Sequence, residues 1–275
     1  MNPRAAVAPI VAAAVVLVAV VGGASPAAQP EPEGRNLDLL ASAHPTTWKQ
    51  RVSDTAYDVA WSRDAYLKAD AAAVASATCD ACVGESTTLQ VVYARWPRRA
   101  RLDNVANAWA QECLACTSTA LSVQVVVLRG RPVTVPNNRA LSVTAACEGC
   151  RTAALAFQVV LVADGVGPLS AEELAELRAW VDGQEATLRA SVTEPLVEQE
   201  LPPSPSPSPT PTETATPSAS PTLTPGTLTP TRPTSEVRPV ARVRRDAVSA
   251  LGELEDLLAH ALDAETVSSD VERSR

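Results

Sequence analysis

The chain has 275 residues, 46% of them apolar and 20% charged, with a formal net charge of −8. An acidic balance excludes nucleic-acid binding through a concentrated basic surface. Two histidines, His44 and His260, leave little room for histidine catalysis or a His-rich metal site. No Walker, G-x-S-x-G or dinucleotide signature occurs, so the expectation is a protein that is not an enzyme and carries no cofactor or metal.

Arg4 is the only charge ahead of an uncharged stretch from Ala5 to Val21, and Gly22, Gly23, Ala24, Ser25 and Pro26 follow. A basic start, an apolar middle and a small-residue end are the parts of a secretory signal peptide, here residues 1–28. The alternative is an uncleaved signal anchor; as a helix the stretch would rise about 26 Å, slightly short of a ~30 Å hydrocarbon core. Either route predicts a secreted or cell-envelope location, with a membrane partner only if the segment stays uncleaved. Export would put the six cysteines in an oxidising compartment.

Residues 35–200 are expected to form the folded unit. Tyr57, Val59 and Trp61 alternate over Thr55–Ser62 and predict a first strand. A tandem repeat follows. Cys79-Asp80-Ala81-Cys82, Cys113-Leu114-Ala115-Cys116 and Cys147-Glu148-Gly149-Cys150 recur at 34 residues. Leu89-Gln90-Val91-Val92, Val123-Gln124-Val125-Val126 and Phe157-Gln158-Val159-Val160 recur with them, and upstream Asp70, Asn104 and Asn138 align without a gap.

The β-branched run ending Thr117–Leu128 has poor helix and good strand propensity. Each unit therefore reads as two strands joined at its CxxC. Treated as a hairpin, Ala140 faces Phe157 and Ala106 faces Val123, small against large on the core face, with Ala, Ser, Thr and Gln on the other. Trp96-Pro97 and Gly130-Arg131-Pro132 separate the units. The predicted fold is mainly β: an antiparallel up-and-down meander of two-strand, 34-residue repeats, with every CxxC bend at one end.

The pattern of Asn/Asp-x-Ala, CxxC and a small-residue alternation ending in Gln-Val-Val resembles exported actinobacterial proteins of uncharacterised function. The resemblance covers roughly residues 54–163. It implies location and repeat architecture, and no reaction.

For the cysteines, the leading expectation is a local disulfide across each bend: Cys79–Cys82, Cys113–Cys116 and Cys147–Cys150. Opposed hairpin residues have Cα atoms about 5.5 Å apart, within disulfide range. The alternative is a thiol redox or zinc-binding protein using the same bends. In a meander, neighbouring CxxC bends lie two strands apart, about 9.6 Å, too far to share a tetrahedral ion. Redox CxxC motifs sit at helix N-termini, and these sit between strands.

Ser170 and Glu173 form a capping box ahead of a helix with the apolar stripe Leu174, Leu177, Val181 and Leu188. Trp48, Trp61, Trp96, Trp109 and Trp180 read mainly as packing residues; exposed, they would suit a cell-wall glycan. Asp54, Asp58, Asp64 and Asp70 read as a solvated face. Between Pro202 and Pro239, 12 Pro and 16 Ser or Thr in 38 residues predict a disordered linker. Residues 240–263 then predict an amphipathic helix through Ala247, Leu251, Leu254, Leu258 and Leu262. That helix needs a partner, either a protein, a second copy, or the repeat domain itself. The function expected from all this is an exported structural or adhesive protein of the cell envelope.

Overall fold

A computed structural model describes residues 36–163, 167–193, 238–262 and 264–274. The export segment lies outside the described residues, as does the Pro/Ser/Thr segment apart from its last two positions. Within them the chain forms strands β1 (Asn36–Ala43), β2 (Arg51–Ser62), β3 (Tyr66–Ala77), β4 (Val83–Arg95), β5 (Arg99–Gln111), β6 (Thr117–Arg129), β7 (Val133–Ala145) and β8 (Arg151–Val162). Helices α1 (Ala171–Thr193) and α2 (Arg238–Leu262) and a last strand, β9 (Glu265–Ser274), complete it.

The strands are as long and as regular as the alternation predicts, yet no repeat is a hairpin. β3 pairs in parallel with β5 and β5 with β7, while β4 pairs with β6 and β6 with β8. Two sheets result, β1-β3-β5-β7 and β2-β4-β6-β8-β9. The expected antiparallel meander is therefore wrong: each repeat is one turn of a β-solenoid, and its two strands lie in opposite sheets. The pairing residues show why. Gln90 stacks on Gln124 and Gln124 on Gln158, so each position meets its own equivalent one turn away. Among the described strands, β8 pairs antiparallel with β9, which closes the end of its sheet.

The expected apolar face of the outgoing strands is buried, but against helices and not against the small residues of the incoming strands. On β4, β6 and β8 the large residues (Leu121, Val123, Leu155, Phe157 and Val159 among them) point out of the coil and are covered by α1 and α2. The other face points in; it is filled by Leu67, Leu102, Val126, Leu128 and Val160 at the end away from the CxxC bends and by small residues nearer to them. Ala73, Ala75, Ala106 and Ala108 from one sheet meet Ala120, Ala154 and Ala156 from the other. Small residues on both inner faces let the sheets approach closely. Gly84 marks the limit, since a Cβ there would stand 2.7 Å from the backbone oxygen of Ser76.

The coil length is not constant. Asn36 pairs with Lys68 (68 − 36 = 32), Tyr66 with Arg99 (99 − 66 = 33) and Arg99 with Val133 (133 − 99 = 34). Ala71, not Asp70, consequently lies beside Asn104, so the gapless alignment fails at that point. The extra residue enters ahead of the second CxxC, where Glu112 takes a left-handed conformation at φ 53°, and Ala146 repeats it at φ 51°.

The helices follow expectation. Ser170 donates its backbone N–H to Glu173 Oε2 at 2.6 Å and Glu173 returns its N–H to Ser170 Oγ at 3.2 Å, closing the capping box. Leu177, Val181 and Leu188 of α1 are buried, as are Ala247, Leu254, Leu258 and Leu262 of α2. α2 packs over the β2-β4-β6-β8-β9 sheet beside α1. Neither described helix is long and apolar enough to cross a membrane. The sequence reading missed β1 and β9; the polar β9, Glu265–Ser274, owes its form to the β8 edge it pairs with.

Candidate functional site

Parallel stacking brings all three CxxC bends into one column at one end of the solenoid. Corner backbones bond to one another: Ala81 N–H donates to Leu114 C=O and Ala115 N–H to Glu148 C=O, both at 2.8 Å. Asp80 adds a side-chain cap, its Oδ1 accepting from Leu114 N–H at 2.8 Å. The first turn of the solenoid substitutes Thr46–Lys49 for the motif, and those two residues bond to each other at 3.0 Å.

Two of the three expected local disulfides are formed, Cys79–Cys82 and Cys113–Cys116, with Cα separations of 5.3 and 6.2 Å. Cys147 and Cys150 stand as two thiols, partly exposed. The Cys113 sulfur lies 3.6 Å from that of Cys147 and 3.7 Å from that of Cys150. Bends predicted to lie two strands apart are in fact one strand apart, so the distance argument against a shared site no longer holds. The sulfurs of Cys113, Cys116 and Cys150 all lie within 4.8 Å of one another. They could hold a thiophilic metal only with the Cys113–Cys116 bond opened, because a ligating sulfur must be a thiolate.

Cys150 donates its thiol to the Cys113 carbonyl at 3.2 Å. Burial, together with a hydrogen bond to Cys147, pushes its pKa above the ordinary thiol value. The remaining sulfurs of the column are shielded: Cys82 and Cys116 are 0% exposed and Cys113 4%.

The other candidate residues are not brought together. Trp48 and Trp96 are exposed, Trp61 stacks on Tyr93 at 4.5 Å, and Trp180 packs edge-on against Phe157 at 5.1 Å. Asp54 accepts from the Ser42 N–H at 2.6 Å and Asp64 pairs with Ser62 at 3.0 Å. His44 lies between Ser42 and Ser76, at 2.6 Å from each hydroxyl.

Sequence reasoning missed the polar spine inside the coil. Gln90, Gln124 and Gln158 are linked side chain to side chain at 2.8 Å, and Gln124 also donates to Ala69 C=O at 3.0 Å. Beside them Asn104 donates to Asn138 Oδ1 at 2.8 Å and accepts from Ser122 Oγ at 2.6 Å. The signal was the recurrence of Gln at one offset; identical amides a strand spacing apart satisfy each other.

The outer face of β1-β3-β5-β7 differs from its counterpart. No described helix covers it, and Leu40, Val135, Leu141 and Val143 are exposed there. Charge lies on the same face as the pairs Lys68–Asp70 at 2.8 Å and Arg139–Asp103 at 3.1 Å.

No protein-family model, curated protein or solved structure matches the chain.

Proposed function

We propose that this is an exported, non-enzymatic scaffold of the cell envelope, which uses the solenoid to present one flat sheet face to a partner. The observation that carries the reading is the difference between the two sheets. One is buried under α1 and α2, while the other has no described helix over it and leaves Leu40 (61%) exposed on its β1 edge and Leu141 (55%) and Val143 (43%) exposed on its β7 edge. Exposed apolar side chains on an uncovered sheet face are a feature of binding surfaces. Strands spaced about 4.8 Å apart make this face a regular surface, suited to a partner that is itself extended, an envelope protein or a cell-wall glycan. The export segment at residues 1–28 and the Pro/Ser/Thr segment support display away from the cytoplasm. The local disulfides serve as clips, each contributing about 2 kcal/mol through loop entropy.

Co-sedimentation of the full chain with isolated envelope tests the reading. The native chain should pellet, and Leu141→Arg/Val143→Arg should remain in solution with an unchanged melting temperature. Equal pelleting of both, or a native chain that stays in the supernatant, overturns it.

A further inference from the structure

We propose that the second and third CxxC corners form one thiol–disulfide exchange unit. Cys147 and Cys150 are its solvent-facing port, and the buried Cys113–Cys116 disulfide is opened through them. This goes beyond a scaffold held by inert clips.

Three observations carry it. First, the Cys113 sulfur is 3.6 Å from the Cys147 sulfur, van der Waals contact between a thiol and one end of a disulfide. Second, Cys150 lies 3.7 Å from the same sulfur and is held there by its hydrogen bond to the Cys113 carbonyl. Third, exposure falls along the column. Cys147 and Cys150 are partly exposed, whereas Cys116 is 0% and Cys113 4% exposed, so a reagent in solution meets the third corner first.

The exchange balances without any outside oxidant. The Cys147 thiolate attacks Cys113 Sγ; the Cys113–Cys147 bond forms, the Cys113–Cys116 bond breaks, and Cys116 leaves with the electron pair and takes up a proton. The Cys150 thiolate then attacks Cys147 Sγ, forming Cys147–Cys150 and releasing Cys113, which is protonated in turn. One disulfide has moved by one coil, two thiols have been consumed and two produced. The accessible Cys147–Cys150 disulfide can then react with a dithiol in solution, and the buried corner is reduced without being exposed.

The test uses the full chain with reduced glutathione as the probe, following alkylation of Cys116 by peptide mass mapping. In Cys147→Ser/Cys150→Ser, opening of Cys113–Cys116 should slow at least tenfold, with Cys79–Cys82 opening at its parental rate. Equal opening of Cys113–Cys116 in both proteins overturns the proposal. A variant that misfolds is recognised by accelerated opening of Cys79–Cys82. A second variant, Cys116→Ser/Cys150→Ser, then decides the matter: treated with oxidised glutathione, it should form a Cys113–Cys147 disulfide. Recovery of both cysteines as separate glutathione adducts overturns the inference.

Discussion

Gln124 donates its side-chain amide to Oε1 of Gln90 at 2.8 Å, across the 34 residues that make one turn of the solenoid. Both are 0% exposed. Inside so narrow a coil, a buried amide survives only because its equivalents above and below complete its bonds.

Gln124→Leu should therefore cost roughly 2–4 kcal/mol, because it leaves the Gln90 oxygen without its side-chain donor and removes one of the two acceptors of the Gln158 amide. A lowered urea midpoint at constant slope is the expected result. A change below about 0.5 kcal/mol would show that the spine contributes no stability.

Gly84→Ala probes how closely the sheets approach. Its Cβ would lie 2.7 Å from Ser76 O, a backbone atom that cannot move alone. A loss of about 1–3 kcal/mol is expected in thermal or chemical unfolding.

Phe157→Ala tests which face of β8 is the apolar core. Phe157 points at α1, its ring 5.1 Å from that of Trp180. Truncation should cost about 3–5 kcal/mol and shift Trp180 fluorescence toward that of a solvated indole. An unchanged Trp180 emission would show that Phe157 does not pack against α1.

Alkaline pH should loosen α1 in a defined window. Tyr57 O–H donates to Asp182 Oδ1 at 3.1 Å. Burial first, then this bond and the Asp182 charge, push its pKa from 10.0 to about 12. With the folded value above the unfolded one, the contribution is fully present below pH 10 and is lost as pH rises toward 12. Tyr57→Phe should flatten stability against pH over that interval relative to the parent.

Cys150 should be a slow thiol near neutrality. Because burial and the hydrogen bond with Cys147 raise its pKa, its thiolate is scarce at pH 7. Iodoacetamide labelling should rise about tenfold per pH unit up to and beyond the ordinary thiol range. A plateau below pH 8 would contradict that environment.

The sequence by itself determined the repeat strands, the bends between them and the two helices, though not β1 or β9. Period-two alternation over Thr117–Leu128, the corners marked by Pro97 and Pro132, and the Ser170–Glu173 box are local features with local causes. Which strand lies beside which was decided by the tertiary structure. A strand that alternates correctly for a hairpin alternates equally well for a coil, and small residues such as Ala140 opposite Phe157 suit either arrangement until the covering helices are in place. The informative signal was the likeness of residues one repeat apart, Gln on Gln and Cys on Cys. Parallel stacking places those equivalents in contact, whereas a hairpin separates them. The cysteines were legible as three bends, but their meeting as one sulfur column depends on a strand spacing that only the stacked coils supply.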